Sequence, residues 1–494
     1  MTRKTASTTR RLGVLGLSAL LCGCTMAPDY VRPAMPVQTA YPSDTHAASV
    51  PAHVVAADLG WRDFFVDERL KALIALAIRD NRSLRSQIAS ISEAQGQYEV
   101  QHASLFPPIS ATGNGEYFAP SSTAGFSFAP GLGQNISMLR YYSAGIGFSA
   151  YEVDLFGRIR SLSQEQAEDA LASEENARSV LTSTIAEVAT TYISWLADRE
   201  LLRVTNDTLA SQQHTLDLTQ TMYDHGETDL LTLQQTRSQV QQAAANQAQY
   251  ERQMGLDAHA LQLAVGAPLP ADLPEPAPFG QQTILSDLPA GLPSDLIARR
   301  PDVVQAEHTL KAANANIGAA RAAFFPRVTI TASDGISSLQ FRHLFTPGAT
   351  TWSAAPSITL PIFTWGQNEG NLRISKARKL EQIATYERTV QTAFREVSDA
   401  LTARETYLAQ DRQLDGLVQS DQDAYRLAQM RFSSGIDSYL TTLEQQRSLY
   451  QAQQTSIAVK SARFQNLVTL YRALGGGWVD HTPPTRVASA AAAR

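Results

Sequence analysis

The segment VDLFGRIR, Val153 to Arg160, has a counterpart later in the chain in PIFTWGQN, Pro361 to Asn368. Gly157 of the first segment and Gly366 of the second are 209 residues apart. Three further matches keep the same separation: Glu187 with Glu396, Gly226 with Gly435, and Gly266 with Gly475. A repeat that holds one offset over more than a hundred residues predicts two halves with the same fold.

Upstream of these matches the repeat continues at a slightly different offset. ASLFPPISATG resembles AAFFPRVTITAS, and Phe106 of the first is 219 residues from Phe325 of the second. The first half therefore holds ten extra residues, which we place in the loop from Phe118 to Leu139. Each Phe-Pro pair should end a helix just before a strand, because proline disfavours a helical conformation in the preceding residue.

Two very long helices are predicted from the absence of helix breakers. Arg158 to His225 is a run of 68 residues without glycine or proline, which as a helix would measure roughly 100 Å. A second helix should follow Gly226, and the other half contains a comparable uninterrupted run from Ile436 to Leu474. We expect Gly226 and Gly435 to be the turns of two helical hairpins, since such turns commonly need a left-handed residue.

Four segments of about ten residues alternate apolar with polar side chains, which is the length and period of a transmembrane β-strand. They lie around Ile109 to Tyr117, Tyr142 to Ala150, Val328 to Ala332 and Trp352 to Leu360. Four strands are too few to close a barrel, for which about eight are needed. We therefore expect a homotrimer, in which four strands per chain form a 12-stranded β-barrel with no exposed edge.

The N-terminus has the pattern of an export signal. Met1 to Arg11 is basic without acids, and the apolar run from Leu12 to Leu21 is shorter than the ~20 residues of a transmembrane helix. Leu21-Cys22-Gly23-Cys24 resembles a bacterial lipobox, which makes Cys24 the predicted first mature residue and the site of a covalent lipid such as palmitate. Two ordinary cysteines in a plain signal peptide are the alternative.

Composition and motif spacing argue against several other functions. A formal net charge of -6 disfavours nucleic-acid binding, and the nine histidines form no close ligand pair, so no metal site is predicted. No nucleophile is spaced near a base in a catalytic pattern, so no catalytic residue is predicted. The charged residues Arg299, Arg300, Asp302 and Glu307 are expected to form cap and ion-pair contacts at a helix start.

Four longer stretches resemble one known family. They are GWRDFFVDERLKALIALAIRDNRSLRSQI, LPSDLIARRPDVVQAEHTLKAANANIGAARAAFFP, EVDLFGRIRS and LYRALGGGW. The chain resembles the outer-membrane factors of tripartite efflux systems, the TolC superfamily, in its NodT-type lipoprotein branch and most like the OprM-type channels. The resemblance covers almost the whole mature chain.

This resemblance implies a passive exit duct for drugs and small toxic solutes. It implies a homotrimer in the outer membrane with a long periplasmic α-helical barrel, no cofactor beyond the lipid, and no enzymatic activity. The implied partners are a periplasmic adaptor protein, an inner-membrane pump of the resistance-nodulation-division class, and outer-membrane lipid. A type I secretion outlet for polypeptides shares the superfamily and remains the alternative function.

The expected gate lies near the two hairpin turns, at the end of the long helices furthest from the strands. Gly226 and Gly435 are predicted to make the turns and to take part in adaptor docking. Asp229, Asp437, Tyr425, Leu427 and Tyr439 are the predicted periplasmic gate residues, and the resemblance places Asp437 and Leu427 where related channels narrow. The alternative is that each aspartate caps the helix that follows its glycine.

The repeat also predicts the domain boundaries. They are a leader over 1–23, an extended anchor segment over 24–60, a first repeat over 61–266, a linker over 267–290, a second repeat over 291–475 and a tail over 476–494.

Overall fold

The structure is a computed structural model, and it describes residues 25–38, 41, 59–119, 138–280 and 299–482. The predicted leader, Cys24, most of the loop from Phe118 to Leu139, part of the predicted linker and the end of the predicted tail lie outside the described residues.

Helices dominate the described residues, and they are interrupted by two pairs of strands. The elements in chain order are α1 (Trp61–Phe64), α2 (Glu68–Asp80), α3 (Arg82–Ala103), β1 (Ser110–Phe118), β2 (Leu139–Val153), α4 (Arg158–Asp224), α5 (Leu230–Val265), α6 (Pro301–Ala322), β3 (Arg327–Ser338), β4 (Thr350–Thr359), α7 (Gln367–Ser433) and α8 (Tyr439–Ala473). A short 3₁₀ turn, Phe341–His343, precedes β4. The predicted order of helix, two strands, very long helix, turn and long helix is confirmed in both halves.

The ends of the helices follow local sequence signals. Asp67 caps α2 by accepting a hydrogen bond from the Leu70 N–H at 3.0 Å, and Asn81 accepts one from the Leu84 N–H at 3.0 Å where α3 begins. Each replaces a partner that the first turn of a helix lacks. The helix α6 ends in a last turn closed by the Phe325 N–H, which donates to the Ala322 carbonyl at 3.0 Å, and β3 starts just after Pro326.

The four strands form one antiparallel sheet in the order β1-β2-β3-β4. Ile146 lies opposite Asp334, which lies opposite Trp352, so all three share one face of the sheet. Trp352 is 76% exposed and Ile146 is 59% exposed. These two apolar side chains are therefore accessible on this face, on either side of Asp334. Within the described residues, β1 and β4 each have one free edge.

A β-bulge interrupts the pairing of β2 with β3 between Phe148 and Tyr151. Ala150 at this point has φ +53°, in the left-handed region that residues other than glycine avoid. Its backbone N–H donates to the Thr331 hydroxyl at 3.0 Å instead of a carbonyl, which keeps this donor satisfied.

Two compact units divide the chain, and each draws on both halves of the sequence. The first comprises Met1–Pro33, Ser92–Ala172 and Glu307–Thr385, and it holds the sheet. The second comprises Ala34–Ile91, Ser173–Ala306 and Tyr386–Arg494. No helix of the described ranges combines the length and the apolar composition needed to cross a bilayer.

The core of the second unit surrounds the aromatic residues near α1. Phe64 is fully buried and stacks on Tyr471 with ring centroids 4.0 Å apart. The hydroxyl of buried Tyr192 donates to the second carboxylate oxygen of Asp67 at 3.0 Å, so the cap of α2 is also held from α4. Burying this polar group is tolerated because it is hydrogen-bonded.

Candidate functional site

The two hairpin turns have the same backbone geometry. At the first, Gly226 has φ +77°, its N–H donates to the Tyr223 carbonyl at 3.0 Å, and the Glu227 N–H donates to the Met222 carbonyl at 2.8 Å. At the second, Gly435 has φ +71° and the Ile436 N–H reaches back to the Arg431 carbonyl at 2.9 Å. Both are left-handed helix ends, in which these bonds satisfy carbonyls that the helix leaves free.

The two aspartates beside these turns have different partners. Asp229 is the cap of α5, and it accepts a hydrogen bond from the Thr232 N–H at 2.7 Å. Asp437 instead forms a bidentate ion pair with Arg431, with N–O distances of 2.6 and 2.9 Å. Ser438, and not Asp437, is the cap residue of α8. The cap interpretation therefore describes Asp229 but not Asp437.

These partners shift the two carboxyl groups in the same direction. The Thr232 N–H lowers the pKa of Asp229, and the Arg431 guanidinium lowers the pKa of Asp437. Both are therefore charged near neutral pH. The nearby Arg426 instead lies 3.3 Å from Asp423 on its own helix.

The other predicted gate residues lie nearby in the second unit. The Tyr425 hydroxyl is 3.4 Å from the Ser211 hydroxyl, which joins α7 to α4. Tyr439 packs against Phe432 with ring centroids 5.3 Å apart, and burial raises the pKa of Tyr439. Leu427 is 49% exposed. The structure thus holds both tyrosines in contacts and leaves Leu427 open to solvent in the single chain.

Sequence reasoning missed a polar network above the second hairpin. The Gln446 amide donates to the Ser211 hydroxyl at 3.1 Å. The Tyr450 hydroxyl is 2.8 Å from the Thr205 hydroxyl and accepts from the Asn246 amide at 3.2 Å. These contacts join helices that are far apart in sequence, so no local sequence motif predicts them. These hydrogen bonds fix the positions of the helices relative to one another, which apolar contacts alone would leave less specific.

A pair of carboxyl groups between α4 and α5 was missed as well. Burial, together with a hydrogen bond to Asp257, raises the pKa of Asp198 to about 7. One oxygen of buried Asp257 accepts from the Gln253 amide at 3.1 Å, and the other has no ordinary donor among the described residues. Asp198 is therefore largely protonated below about pH 7 in the folded chain.

The charged residues around residue 300 do not form one cluster. In the second unit, buried Arg300 binds Asp302 at 2.7 Å, Glu396 at 2.9 Å and the Ala473 carbonyl at 2.9 Å. In the first unit, Glu307 pairs with Arg32 at 2.6 Å. These are structural ion pairs that secure helix ends and the N-terminal segment.

Over the described residues the structure contains no group of three or more histidine, cysteine, aspartate or glutamate side chains able to hold a metal ion.

Comparison with known proteins adds a family and several relatives. The family model described as outer membrane efflux protein matches residues 73–267 and 292–476. A probable efflux pump outer membrane protein of Pseudomonas putida, TtgC, is 42% identical over 476 residues, which covers 96% of this chain and 97% of that protein. The outer membrane protein OprJ of Pseudomonas aeruginosa is 39% identical over 475 residues, with 95% and 97% covered.

Solved structures agree with these matches. The open state of the MtrE outer membrane channel of Neisseria gonorrhoeae superposes with a TM-score of 0.85 at 35% identity, covering 93% of this chain and all of that one (100%). CusC superposes with a TM-score of 0.81 at 33% identity, with 92% and 100% covered.

Proposed function

Because the chain belongs to the outer membrane efflux protein family, we propose that it is the outer-membrane channel of a tripartite efflux pump of the resistance-nodulation-division class. It provides a passive exit duct for drugs and small toxic solutes. The relatives include proteins named as antibiotic, solvent and toluene efflux components. This supports antibiotics and small organic solvents as substrate classes here.

The observation that carries this function is the four-stranded sheet with its two free edges. Its apolar side chains, such as Trp352 and Ile146, point outward on one face. A sheet with unpaired edges does not persist in hydrocarbon, because each unsatisfied backbone group there costs several kcal/mol. Three copies together close a 12-stranded barrel in the outer membrane. A homotrimer is thus part of the proposal.

The hairpins provide the proposed gate. Three copies bring six turns together, so that each Asp437, with Arg431 beside it, faces its symmetry mates around a narrow opening. While Asp437 is paired with Arg431 the pair adds no net charge to the opening, but three Asp437 carboxylates released from Arg431 would form a ring that attracts cations. A periplasmic adaptor that docks at the turns of Gly226 and Gly435 separates these contacts and opens the duct.

Lipid attachment at Cys24 is proposed as an auxiliary anchor. The support is the lipobox-like segment from Leu21 to Cys24. Acyl chains add about 0.8 kcal/mol per buried methylene, whereas the barrel itself inserts by its apolar belt. The lipid therefore adds to the membrane anchoring that the strands already provide.

Deletion of the gene tests the function directly. A deletion strain should become more susceptible to chemically distinct antibiotics and to organic solvents, and the plasmid-borne gene should restore resistance. An unchanged susceptibility profile together with loss of a secreted polypeptide would overturn the efflux assignment.

A further inference from the structure

Both halves of the chain place aromatic residues at the same two points of the strand pair. The second strand of each half is followed by an aromatic residue and a glycine, Phe156-Gly157 and Trp365-Gly366, at the separation of 209 residues. Both glycines have positive φ, +73° and +81°. The first strand of each half is preceded by a Phe-Pro pair that contains Phe106 or Phe325, at the separation of 219 residues.

Only one of the two contacts that this pattern permits is made within a chain. Phe156 stacks on Phe325 with ring centroids 4.8 Å apart and an interplanar angle of 24°. This contact forms because β2 and β3 are neighbours in the sheet. Their counterparts Trp365 and Phe106 adjoin β4 and β1, which are the two outer strands, and there they are 94% and 63% exposed.

The backbone at Trp365 also differs from that of its counterpart. Trp365 has φ +50°, in the left-handed region, whereas Phe156 keeps a negative φ. Such a conformation is disfavoured for a residue with a side chain. Within the chain Trp365 contacts Phe363 in a tilted arrangement with ring centroids 6.1 Å apart, and it does not form the close stack that Phe156 forms. The turn without that stack is thus the strained one.

We propose that Trp365 of one copy stacks on Phe106 of the neighbouring copy and that β4 pairs with the neighbour's β1 in the register that β2 and β3 use. This rests on the proposed trimer and names its contact. Val153 lies opposite Val328 within the chain. The same offsets place Ile362 opposite Ile109 of the neighbouring copy.

A second copy of this chain explains these aromatic residues better than the lipid surface does. Aromatic side chains at the ends of membrane strands also occur in interfacial girdles. A girdle, however, requires neither a repeat-related partner nor a glycine of positive φ directly after each aromatic residue. The stack of Phe156 on Phe325 shows what these positions do when two strands meet, and the meeting of β4 with β1 repeats that arrangement.

A double-mutant cycle on trimer stability tests the contact. Phe106→Ala, Trp365→Ala and the double variant are compared by the temperature at which the trimer dissociates on semi-native gels. Each single change should lower this temperature, and the double variant should dissociate no lower than the more sensitive single variant, because either change alone removes the stack. Phe106→Ala combined with Phe345→Ala is the matched control, since Phe345 is 76% exposed and lies before β4, at the opposite end of that strand from Trp365. The control effects should add.

Cysteine cross-linking tests the register. Ile109→Cys combined with Ile362→Cys should give disulfide-linked oligomers on non-reducing gels, because directly opposite residues lie within disulfide range. Ile109→Cys with Phe363→Cys is the out-of-register control. Additive effects of Phe106 and Trp365, or a trimer that cross-links only in the control, would overturn the contact and leave the trimer standing. A wild-type protein that runs only as a monomer would refute the trimer itself.

Discussion

Replacing Asp198 by asparagine should remove a large part of the pH dependence of stability. Burial and the contact with Asp257 raise the pKa of Asp198 from 3.8 to about 7. The protonated Asp198 stabilises the folded protein fully at pH values below the pKa that this residue has in the unfolded chain. This contribution is lost as pH rises through the pKa that it has in the folded chain. A shift of about three units corresponds to about 4 kcal/mol per chain, which we reduce to about 2 kcal/mol because Asp198 is only partly buried.

Asparagine cannot ionise, yet it keeps an N–H donor for Asp257. The Asp198→Asn variant should therefore gain stability over the wild type progressively between about pH 4 and about pH 7, and the gain should level off above that. Unfolding of the purified protein across this range, followed by circular dichroism, measures the difference. Asp217→Asn is the control, since Asp217 is exposed on the same helix and accepts from the Gln213 amide at 3.2 Å. Parallel pH profiles for wild type and Asp198→Asn would refute the raised pKa of Asp198.

Three further predictions concern the gate, the anchor and the turns. Asp437→Ala should raise single-channel conductance in planar bilayers and weaken cation preference more than Asp229→Ala does. The reason is that loss of Asp437 releases Arg431, whereas Asp229 serves mainly as a helix cap. Equal effects of the two variants would place the gate elsewhere. Mass spectrometry should find acyl chains on Cys24, and Cys24→Ala behind a cleavable signal should still trimerise in the outer membrane; an unmodified Cys24 contradicts the anchor. Gly226→Ala should lower the free energy of unfolding by about 1 kcal/mol through its left-handed backbone alone, since an added Cβ there meets no atom within 4 Å. The control Gly416→Ala, inside α7, should raise it by up to about 1 kcal/mol. Equal effects of the two variants in unfolding experiments would show that φ is not the cause.

The architecture could be predicted from the sequence because the patterns that indicate it are local and occur twice in the chain. The run without glycine or proline from Arg158 became one helix, and Gly226 and Gly435 became turns of equal geometry. Alternation of apolar and polar residues placed the strands, but it did not reveal the bulge near Ala150, which depends on how β2 meets β3.

The side-chain contacts at the site were less predictable. The sequence placed Asp229 and Asp437 at equivalent-looking positions, and only the geometry shows that one is a cap and the other an ion pair with Arg431. Asp198 and Asp257 lie on different helices, so the raised pKa of Asp198 depends on packing that no spacing rule describes. Tertiary contacts between distant residues thus account for what sequence patterns left out.

The free edges of β1 and β4 also have a genetic consequence. Because the barrel wall of the proposed trimer is completed only by other copies of the chain, one defective chain affects the whole duct. If defective and normal chains are produced equally and mix at random, only about one trimer in eight contains normal chains alone. A variant that still presents both edges but blocks the passage should therefore be dominant, whereas a variant that loses one edge should be recessive.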